Sequence, residues 1–523
     1  MPVTPTYPGI YIEELPSSAR TITAAPTSVT VFVGYTHPFK TRKFNQAIEI
    51  FNFTEYEREF GGLYESELVD CQVAHAVNQF FINGGSVAYV VGLQANYRNA
   101  SGAKLSSGPG EDSTFKRPEA TTGGIKFIGL EPAEQIPMTV TISNLNTTAD
   151  TADLVIAYGS QVEVYRGVKL DSSSPEFIEK RLGTDAKPIS ALVRVAPASL
   201  TYPTTFPTAS ADQHKSLKKA PPAGTTTTFH PDEFTDAFKA DSSLDKVSIF
   251  NLLLIPGVVA NGILSEALAF CERKQAFFIM DPPPQAAADG SGTLTPIADL
   301  IDILPKSKNG ALYFPYLKSV NPITGKRLDL PPSGFVAGIY ARTDLNRGVW
   351  KAPAGLETTI LNTTGLVERG LMTDLRQGKL NDIGVNCLRS FPGVGTVVYG
   401  ARTLVTKNLA YQQWRYVPVR RMALFIEQTL FRNLGWVVFE PNDEPLWVAI
   451  RISIENFMLS LFNQGAFQGS KPSQAFQVKC DSSTTTQTDI DNGIVNIIVA
   501  FAPLKPAEFV IVKIAQLAGQ VQS

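Results

Sequence analysis

GIVNIIVAFAPLKPAEFVIVKIAQ (Gly493–Gln516) contains two apolar runs separated by two prolines. Proline cannot donate to a sheet ladder, so the pattern predicts one strand over Ile494–Ala502 and another over Glu508–Gln516. The second strand is apolar on most of both faces, which is typical of a strand covered on both sides. Chain ends usually fray. This strand therefore needs a sheet to join, either in its own subunit or in a neighbour's, although an ordinary internal strand would have the same composition.

The opposite end of the chain, MPVTPTYPGIYIEELPSSAR (residues 1–20), also favours extended structure. Four prolines, at positions 2, 5, 8 and 16, oppose a helix through most of it. Between Pro8 and Pro16, aromatic and aliphatic side chains alternate as in a short edge strand or added strand. A disordered tail is the alternative, but a solvated tail has no use for three large apolar side chains in a row.

The segments that follow predict an α/β layer. Val29–Tyr35 is an apolar strand, and a short helix over Thr54–Gly61 is predicted with Thr54 as its N-cap. Helical spacing of apolar residues over Leu68–Ile82 ends at a glycine pair, and the strand Ser86–Leu93 follows. A helix, a glycine stop and a buried strand in this order are typical of α/β architecture.

Residues 96–228 differ in composition from the segments on either side. Stretches rich in Gly, Ser, Thr and Pro flank alternating β segments between Gly124 and Arg166. This pattern predicts an inserted β-rich domain with flexible connections at both ends. His214 and His230 fall in the second connection without a partner at metal-ligand spacing, so we expect exposed histidines.

The α/β pattern resumes at Val247 and continues through strands and helices to about residue 399. One of these helices is predicted over Asn261–Arg273, with Asn261 as its N-cap. Asp281 follows the predicted strand Gln275–Met280, a position where α/β enzymes place catalytic groups. Three prolines follow Asp281 and no glycine-rich phosphate loop is present, which favours a capping role. Beyond residue 400, Val417–Leu434 and Leu446–Phe462 have the apolar stripes of two helices, and a strand is predicted over Phe476–Cys480.

Composition excludes several classes of protein. The 523 residues carry a formal net charge of −2, so no basic excess is available for nucleic acid. Four widely spaced cysteines form no CxxC pair, which favours reduced thiols. The N-terminus has neither the basic nor the apolar region of a signal peptide, and no apolar run is long enough to predict membrane insertion.

No catalytic or cofactor-binding motif is present. The chain contains only four histidines and has no Walker loop, dinucleotide fingerprint or HExxH sequence. We therefore expect no cofactor, no metal and a structural protein. The alternative is an α/β enzyme with an inserted lid domain that uses Asp281, Asp344 and Arg347.

Several stretches together resemble the contractile tail sheath family of phages, R-type bacteriocins and extracellular contractile injection systems. They cover the first ninety residues and most of the last 190, in the order in which the family has them. These stretches are YPGIYIEELPSSARTITAAPTSVTVFVG (Tyr7–Gly34), FFINGGSVAYVV (Phe80–Val91), RGVWKAPAG (Arg347–Gly355), the segment Asn386–Leu404 that contains FPGVGTVVYGARTL, the helix that begins with LW at Leu446 together with GAFQG (Gly465–Gly469), and APLKPAEFV (Ala502–Val510). The middle of the chain is not matched, which suits a family whose size differences lie in inserted domains.

The resemblance implies a mixed α/β multidomain sheath fold with an α/β core, an inserted β-rich domain and extended strand-exchange arms. It implies five segments: a linker arm (1–20), the first stretch of the sheath core (21–95), the inserted outer domain (96–228), an α/β sheath domain (229–355) and a C-terminal inner domain (356–523). It also implies hexameric rings around an inner tube, in which both arms add strands to the C-terminal sheets of neighbouring copies. Hinges are expected at Pro16–Arg20 and Pro503–Pro506.

Residue roles follow from the same resemblance. The N-terminal arm contributes Tyr7, Ile10, Tyr11 and Ile12. The donated C-terminal strand contributes Phe509, Ile511, Lys513 and Ala515. The receiving sheet includes Ile494, Asn496, Ile498 and Phe501. The predicted contacts with the inner tube are Arg420, Arg421 and Arg432, with a solvated helix face as the alternative.

The partners implied are further copies of the chain, an inner tube protein, and baseplate and terminal cap proteins, without nucleic acid or membrane insertion. Assembly is expected in the bacterial cytoplasm, followed by incorporation into a phage tail or phage-tail-like injection particle. The resemblance leaves open which kind of particle this is and whether sheath paralogues share it.

Overall fold

A computed structural model describes residues 20–106, 113–184, 187, 189–196, 203, 205–206, 214–226, 230–290, 294–367 and 372–513. The chain forms two compact units. The larger contains residues 27–345 and 353–412, and the smaller contains residues 1–26, 346–352 and 413–523. The N-terminal arm (residues 1–19) and Ala515 lie outside the described residues.

The strands of the first half of the chain are β1 (Thr30–Tyr35), β2 (Ala47–Ile50), β3 (Ala88–Leu93), β4 (Glu119–Thr122), β5 (Ile125–Gly129), β6 (Met138–Asn146), β7 (Thr151–Tyr158), β8 (Gln161–Val168), β9 (Val193–Val195), β10 (His214–Leu217) and β11 (Leu252–Leu254). Those of the second half are β12 (Phe277–Met280), β13 (Ala286–Ala287), β14 (Thr295–Pro296), β15 (Gly310–Phe314), β16 (Leu317–Val320), β17 (Arg327–Leu330), β18 (Gly365–Leu366), β19 (Val385–Phe391), β20 (Gly395–Val398), β21 (Phe476–Lys479) and β22 (Ile498–Phe501).

The helices are α1 (Phe53–Phe60), α2 (Gln72–Ile82), α3 (Ile178–Leu182), α4 (Pro231–Phe238), α5 (Asn261–Lys274), α6 (Ile297–Ile301), α7 (Ser333–Arg347), α8 (Asp374–Asp382), α9 (Val417–Asn433), α10 (Glu444–Asn463), α11 (Pro472–Ala475) and α12 (Gln487–Asp491).

The larger unit is built on an eight-stranded sheet with the order β2-β3-β1-β11-β12-β15-β19-β20. The six inner strands run parallel, and β2 and β20 pair antiparallel at the two edges. Residues of β1, β11, β12 and β15 are buried throughout, as expected for parallel strands covered on both faces. The mixed α/β fold class is confirmed.

The inserted segment has a hydrophobic core of its own. A four-stranded antiparallel sheet, β10-β6-β7-β8, lies with a three-stranded sheet, β4-β5-β9, around apolar side chains that include Phe127, Ile156 and Leu192. Inward and outward residues alternate along β7, so the period-two pattern in the sequence corresponds to this buried face. His214 in β10 is exposed as expected, whereas His230 is half-buried beside Asp232.

Two local predictions were wrong, and both concern helix N-caps. The N-cap of α1 is Asn52, whose side chain accepts from the Glu55 amide, and not Thr54, which lies inside the helix. Likewise Ala260, not Asn261, precedes α5, because the Asn261 side chain donates to the Ile303 carbonyl. Several residues in each region can act as caps, and tertiary contacts decide between them.

The smaller unit pairs α9 and α10 around a core to which β21 and β22 also contribute. The expected boundary of the C-terminal domain lies at residue 356, whereas the compact units divide at residue 413. The reason is that β19 and β20, between these two positions, continue the main sheet through parallel pairing of β15 with β19. The five-segment division stays a prediction.

Helix α10 is long and apolar enough to cross a membrane, on length and composition alone. Its side chains Ile450, Ile454 and Met458 are fully buried in the core of the smaller unit. The same apolar character is therefore explained by packing inside a folded domain.

Asp281 caps the N-terminus of α7, a helix that begins about fifty residues further along the chain. Its carboxylate accepts from the backbone amide and hydroxyl of Ser333 at the start of α7, at 2.8 and 2.7 Å, and from the Gly257 amide at 3.1 Å. Burial raises the pKa of Asp281 to about 6, although these hydrogen bonds oppose the rise.

Replacing Asp281 with Asn is expected to weaken the dependence of the unfolding free energy on pH. The folded-state pKa of about 6 exceeds the ordinary value of 3.8, so the folded protein binds this proton more tightly. The resulting stabilisation is complete below about pH 3.8, is lost as pH rises through 6, and amounts to about 3 kcal/mol. Urea denaturation at pH 5 and pH 8 measures the part that is lost over this interval, about 1.4 kcal/mol, with exposed Asp302→Asn as the control. If the difference in unfolding free energy between pH 5 and pH 8 is the same in Asp281→Asn as in the unchanged protein, the prediction is contradicted.

Candidate assembly interface

The sheet formed by β21 and β22 contains only two strands among the residues that the structure describes. The strands are antiparallel, with Phe476 opposite Phe501 and Lys479 opposite Ile498. The Ala502 amide donates to the Ala475 carbonyl at 2.8 Å. This bond identifies which residues of the two strands are hydrogen-bonded to each other and which have their amides on the outer edges. A two-stranded sheet is marginally stable alone, so packing or further strands must support it.

Both outer edges of this sheet are open within the described part of the chain. Amides along an antiparallel strand alternate between the partner strand and the opposite side. Because Ala502 faces β21, Ala500 and Ile498 also face it, and the amides of Val499 and Phe501 point outward. By the same alternation, Phe476 and Val478 lie on the outer edge of β21, where the Phe476 amide donates to the Pro472 carbonyl of the same subunit. Neither edge of the sheet is paired with a further strand among the described residues.

The inner face of the sheet packs on the core of the smaller unit. Val478 is buried, and Val499 and Phe501 are partly buried against the cluster that contains α10. The ring of Phe467 lies 6.2 Å from that of Phe476 and 5.9 Å from that of Phe501. This packing gives the two strands a rigid backing.

The predicted receiving residues divide into two pairs. Ile498 and Phe501 lie in β22. Ile494 and Asn496 precede it in a loop that is hydrogen-bonded to its own subunit, since the Ile494 amide donates to Asp489 and the Asn496 amide to Thr485. The observed strand β22 therefore begins at Ile498, four residues after the start of the predicted strand Ile494–Ala502.

The C-terminal segment ends its described part without joining a sheet. Phe509, Ile511 and Lys513 are exposed, Phe509 to 74% and Ile511 to 82%, and their neighbours Val510 and Val512 are similarly exposed. The strand predicted over Glu508–Gln516 is therefore not formed with described residues of the chain. Four consecutive apolar side chains in water are a feature of interaction sites.

The three arginines predicted to contact an inner tube occupy different environments. Arg420 and Arg421 are buried to 6% and 3% exposure, and Arg432 is exposed. Arg420 donates to Glu427 at 3.0 Å and lies 5.0 Å above the ring of Trp414. Sequence periodicity missed this because the first half of α9 is buried on every side. The tube contact stays a prediction, and Arg432 alone has its side chain at the subunit surface.

A cavity of about 330 Å³ in the larger unit collects titratable side chains, including Asp70, Cys71 and His75. Burial raises the pKa of Cys71 well above its usual value and lowers the pKa of His75 to about 4. A thiol whose pKa is raised by burial is not an activated nucleophile. Among the described residues, no group of His, Cys, Asp and Glu has the arrangement of a metal site.

Comparison with known families gives two matches in adjacent parts of the chain. The phage tail sheath protein central domain matches residues 237–404, and the phage tail sheath C-terminal domain matches residues 410–516. Together they cover just over half of the chain.

A curated relative, the tail sheath protein of Vibrio phage KVP40, is 28% identical over 182 residues, which are 34% of this chain and 25% of the relative. The chain thus spans a quarter of that relative's length. The sheath complex of the extracellular contractile injection system PVC, in its contracted state, has a similar fold, with a TM-score of 0.58 and 23% identity over 98% of both chains. The contracted helical sheath of the anti-feeding prophage gives a TM-score of 0.56 and 22% identity over 98% of this chain and 100% of that one.

Proposed function

We propose, because the chain belongs to the phage tail sheath protein family, that it polymerises in hexameric rings around an inner tube and contracts to drive the tube through a target envelope. Its partners are further copies of itself, an inner tube protein, and baseplate and terminal cap proteins. The particle assembles in the bacterial cytoplasm as a phage tail or a phage-tail-like injection particle.

The two open edges of the β21–β22 sheet are the observation that carries this proposal. A chain with two open sheet edges, an apolar N-terminal segment in its sequence and an exposed apolar C-terminal segment can pair these edges and segments in a polymer of identical copies. In our proposal, one neighbour supplies its N-terminal arm around Ile10 and another supplies its C-terminal strand around Ile511. These contacts join different surfaces, so they propagate along a helical assembly without closing on one partner.

Side-chain burial, more than backbone hydrogen bonding, must hold each added strand. Ordering about eight residues costs roughly 1–2 kcal/mol each. About six new hydrogen bonds return roughly 1 kcal/mol each. Burial of a large apolar side chain adds roughly 1.5–3 kcal/mol. The exposed Phe509, Val510, Ile511 and Val512 therefore supply enough apolar surface to make strand addition favourable.

Contraction requires two arrangements of the copies that share the same strand connections. In the extended arrangement, contacts with tube and baseplate keep the rings in a metastable state. On triggering, the rings rotate and widen, while the links between copies persist. Arg432, exposed near the end of α9, is the surface arginine that we assign to the tube contact.

Negative-stain electron microscopy of the purified chain, alone and co-expressed with its tube protein, tests the proposed function. We expect striated hollow cylinders, because the strand donors and acceptors are present in one polypeptide. Globular particles under every condition, including high concentration and the presence of tube, would contradict a sheath role.

A further inference from the structure

The roots of the two proposed arms lie at opposite ends of α9. This helix has 17 residues, which correspond to about 25 Å. The root of the N-terminal arm, Arg20–Ala25, runs beside the C-terminal half of α9, and the segment that leads to the C-terminal strand returns beside Tyr416, the residue before α9. All of these residues belong to the smaller unit.

The N-terminal root is attached by several hydrogen bonds. Asn433, the last residue of α9, accepts from the Thr23 amide at 3.0 Å and donates to the Thr23 carbonyl at 2.8 Å. One helical turn earlier, Thr429 accepts from the Ala25 amide at 3.1 Å. A side-chain amide that bonds both backbone groups of one residue imitates a strand partner and fixes the direction of the backbone.

Arg20 adds two contacts at the point where the described chain begins. Its amide donates to the Ser453 hydroxyl of α10 at 3.2 Å, and its guanidinium lies 4.9 Å above the ring of Trp436. A stacked guanidinium on tryptophan is one of the stronger cation–π arrangements. The attachment therefore extends to Arg20, the last residue of the expected hinge Pro16–Arg20.

The C-terminal root is attached at both ends of its prolines. At their start, the Gln468 amide donates to the Ala502 carbonyl at 2.9 Å, and Pro503 itself forms a β-bridge with Phe467. After them, the Tyr416 hydroxyl donates to the Glu508 carboxylate at 3.2 Å. Since Pro503–Pro506 lies between two attachments, it is poorly placed to act as the hinge.

We propose that α9 is a rigid spacer that holds the roots of both arms, Arg20–Ala25 and Pro503–Glu508, at a fixed separation while neighbouring copies move relative to one another. This inference rests on the proposed function, because it concerns strands donated to other copies. Asn433 and Tyr416 are then positioning residues. Tension from one neighbour to the next passes along α9 within the smaller unit.

Distance measurement between spin labels tests the spacer directly. The labels are attached at Ala24→Cys and Ala507→Cys, which are exposed positions beside the two roots. Cys71, which is partly exposed, is replaced by Ser, whereas Cys271, Cys387 and Cys480 are buried. Dilution with unlabelled copies restricts the signal to pairs within one subunit.

We expect the same mean distance in sheaths held extended on tubes and in contracted sheaths. A shift larger than one helical turn, about 5.4 Å, in a sheath that forms and contracts would overturn the spacer while leaving the sheath function intact. A chain that forms no sheath at all would instead contradict the proposed function.

Asn433→Ala provides a second measurement, which also applies to the isolated subunit. It removes both bonds to Thr23, so we expect the distribution of distances between labels to widen at least twofold. The matched control is Asn463→Ala, at the exposed end of α10, which should leave the distribution unchanged. An unchanged distribution in Asn433→Ala would overturn the assignment of Asn433.

Discussion

Deleting residues 1–15 is expected to leave a folded, soluble subunit that forms no sheath. The deletion removes Tyr7, Ile10, Tyr11 and Ile12, whose burial in a neighbouring sheet offsets, in our proposal, the entropy of ordering the arm. It spares Arg20–Ala25, which is hydrogen-bonded to α9 and α10. The thermal unfolding midpoint of the subunit should therefore change little, while cylinders disappear from electron micrographs.

A shorter deletion, of residues 1–5, is the control for the loss of the first residues alone. It keeps every apolar residue of the proposed strand, so we expect normal cylinders. Long cylinders assembled from the 1–15 deletion would refute strand donation by the N-terminal arm.

Val499→Pro is expected to abolish assembly while the subunit remains folded. The Val499 amide points to the open edge of β22, so proline removes a donor that no described residue of the subunit uses. Loss of this donor and of strand regularity at the edge should prevent an incoming strand from pairing. Electron microscopy measures assembly, and circular dichroism with urea denaturation measures the fold.

Two variants separate edge blocking from general damage. Val499→Ala shortens the side chain and keeps the amide, so cylinders should persist. Ala500→Pro removes an amide that faces β21, so it should lower the stability of the subunit itself. Equal assembly by Val499→Pro and Val499→Ala would contradict our assignment of this edge as an acceptor.

The resemblance to the sheath family, drawn from short stretches at both ends of the chain, is confirmed by the family matches over residues 237–404 and 410–516. Membership of this structural family also confirms the expectation of a protein that is not an enzyme. Asp281, the residue at the centre of the enzyme alternative, is occupied as the cap of α7.

The parallel core could be predicted because buried strands have continuous apolar runs, as in Leu252–Leu254 and Phe277–Met280. The helix over Leu446–Phe462 was also predictable, since its apolar stripe faces a single core. In these cases the pattern of apolar residues in the sequence corresponds directly to the side of the element that is buried. The strand predicted over Gln275–Met280 begins two residues later, at Phe277, and the helix predicted over Leu446–Phe462 spans Glu444–Asn463.

The environment of α9 could not be predicted from its sequence. Arg420 looks like a surface residue in a helical projection, yet Trp414 and Glu427 enclose it. A charged side chain can be buried when a partner elsewhere on the helix, or outside the helix, accepts its hydrogen bonds. The spacing of apolar residues along the helix does not show whether such a partner exists. The proposed strand donors present the same difficulty, because in our proposal their partners belong to other molecules.

The pair of open edges on the β21–β22 sheet has a consequence for mechanical reliability. In our proposal each copy gives two strands and accepts two, so it is a node with four connections in a continuous net. If one connection fails, the other three still carry the load around the defect, and the damage does not spread to neighbouring copies. A tubular net of this kind tolerates occasional damaged copies through its connectivity, without any increase in the strength of the individual joints.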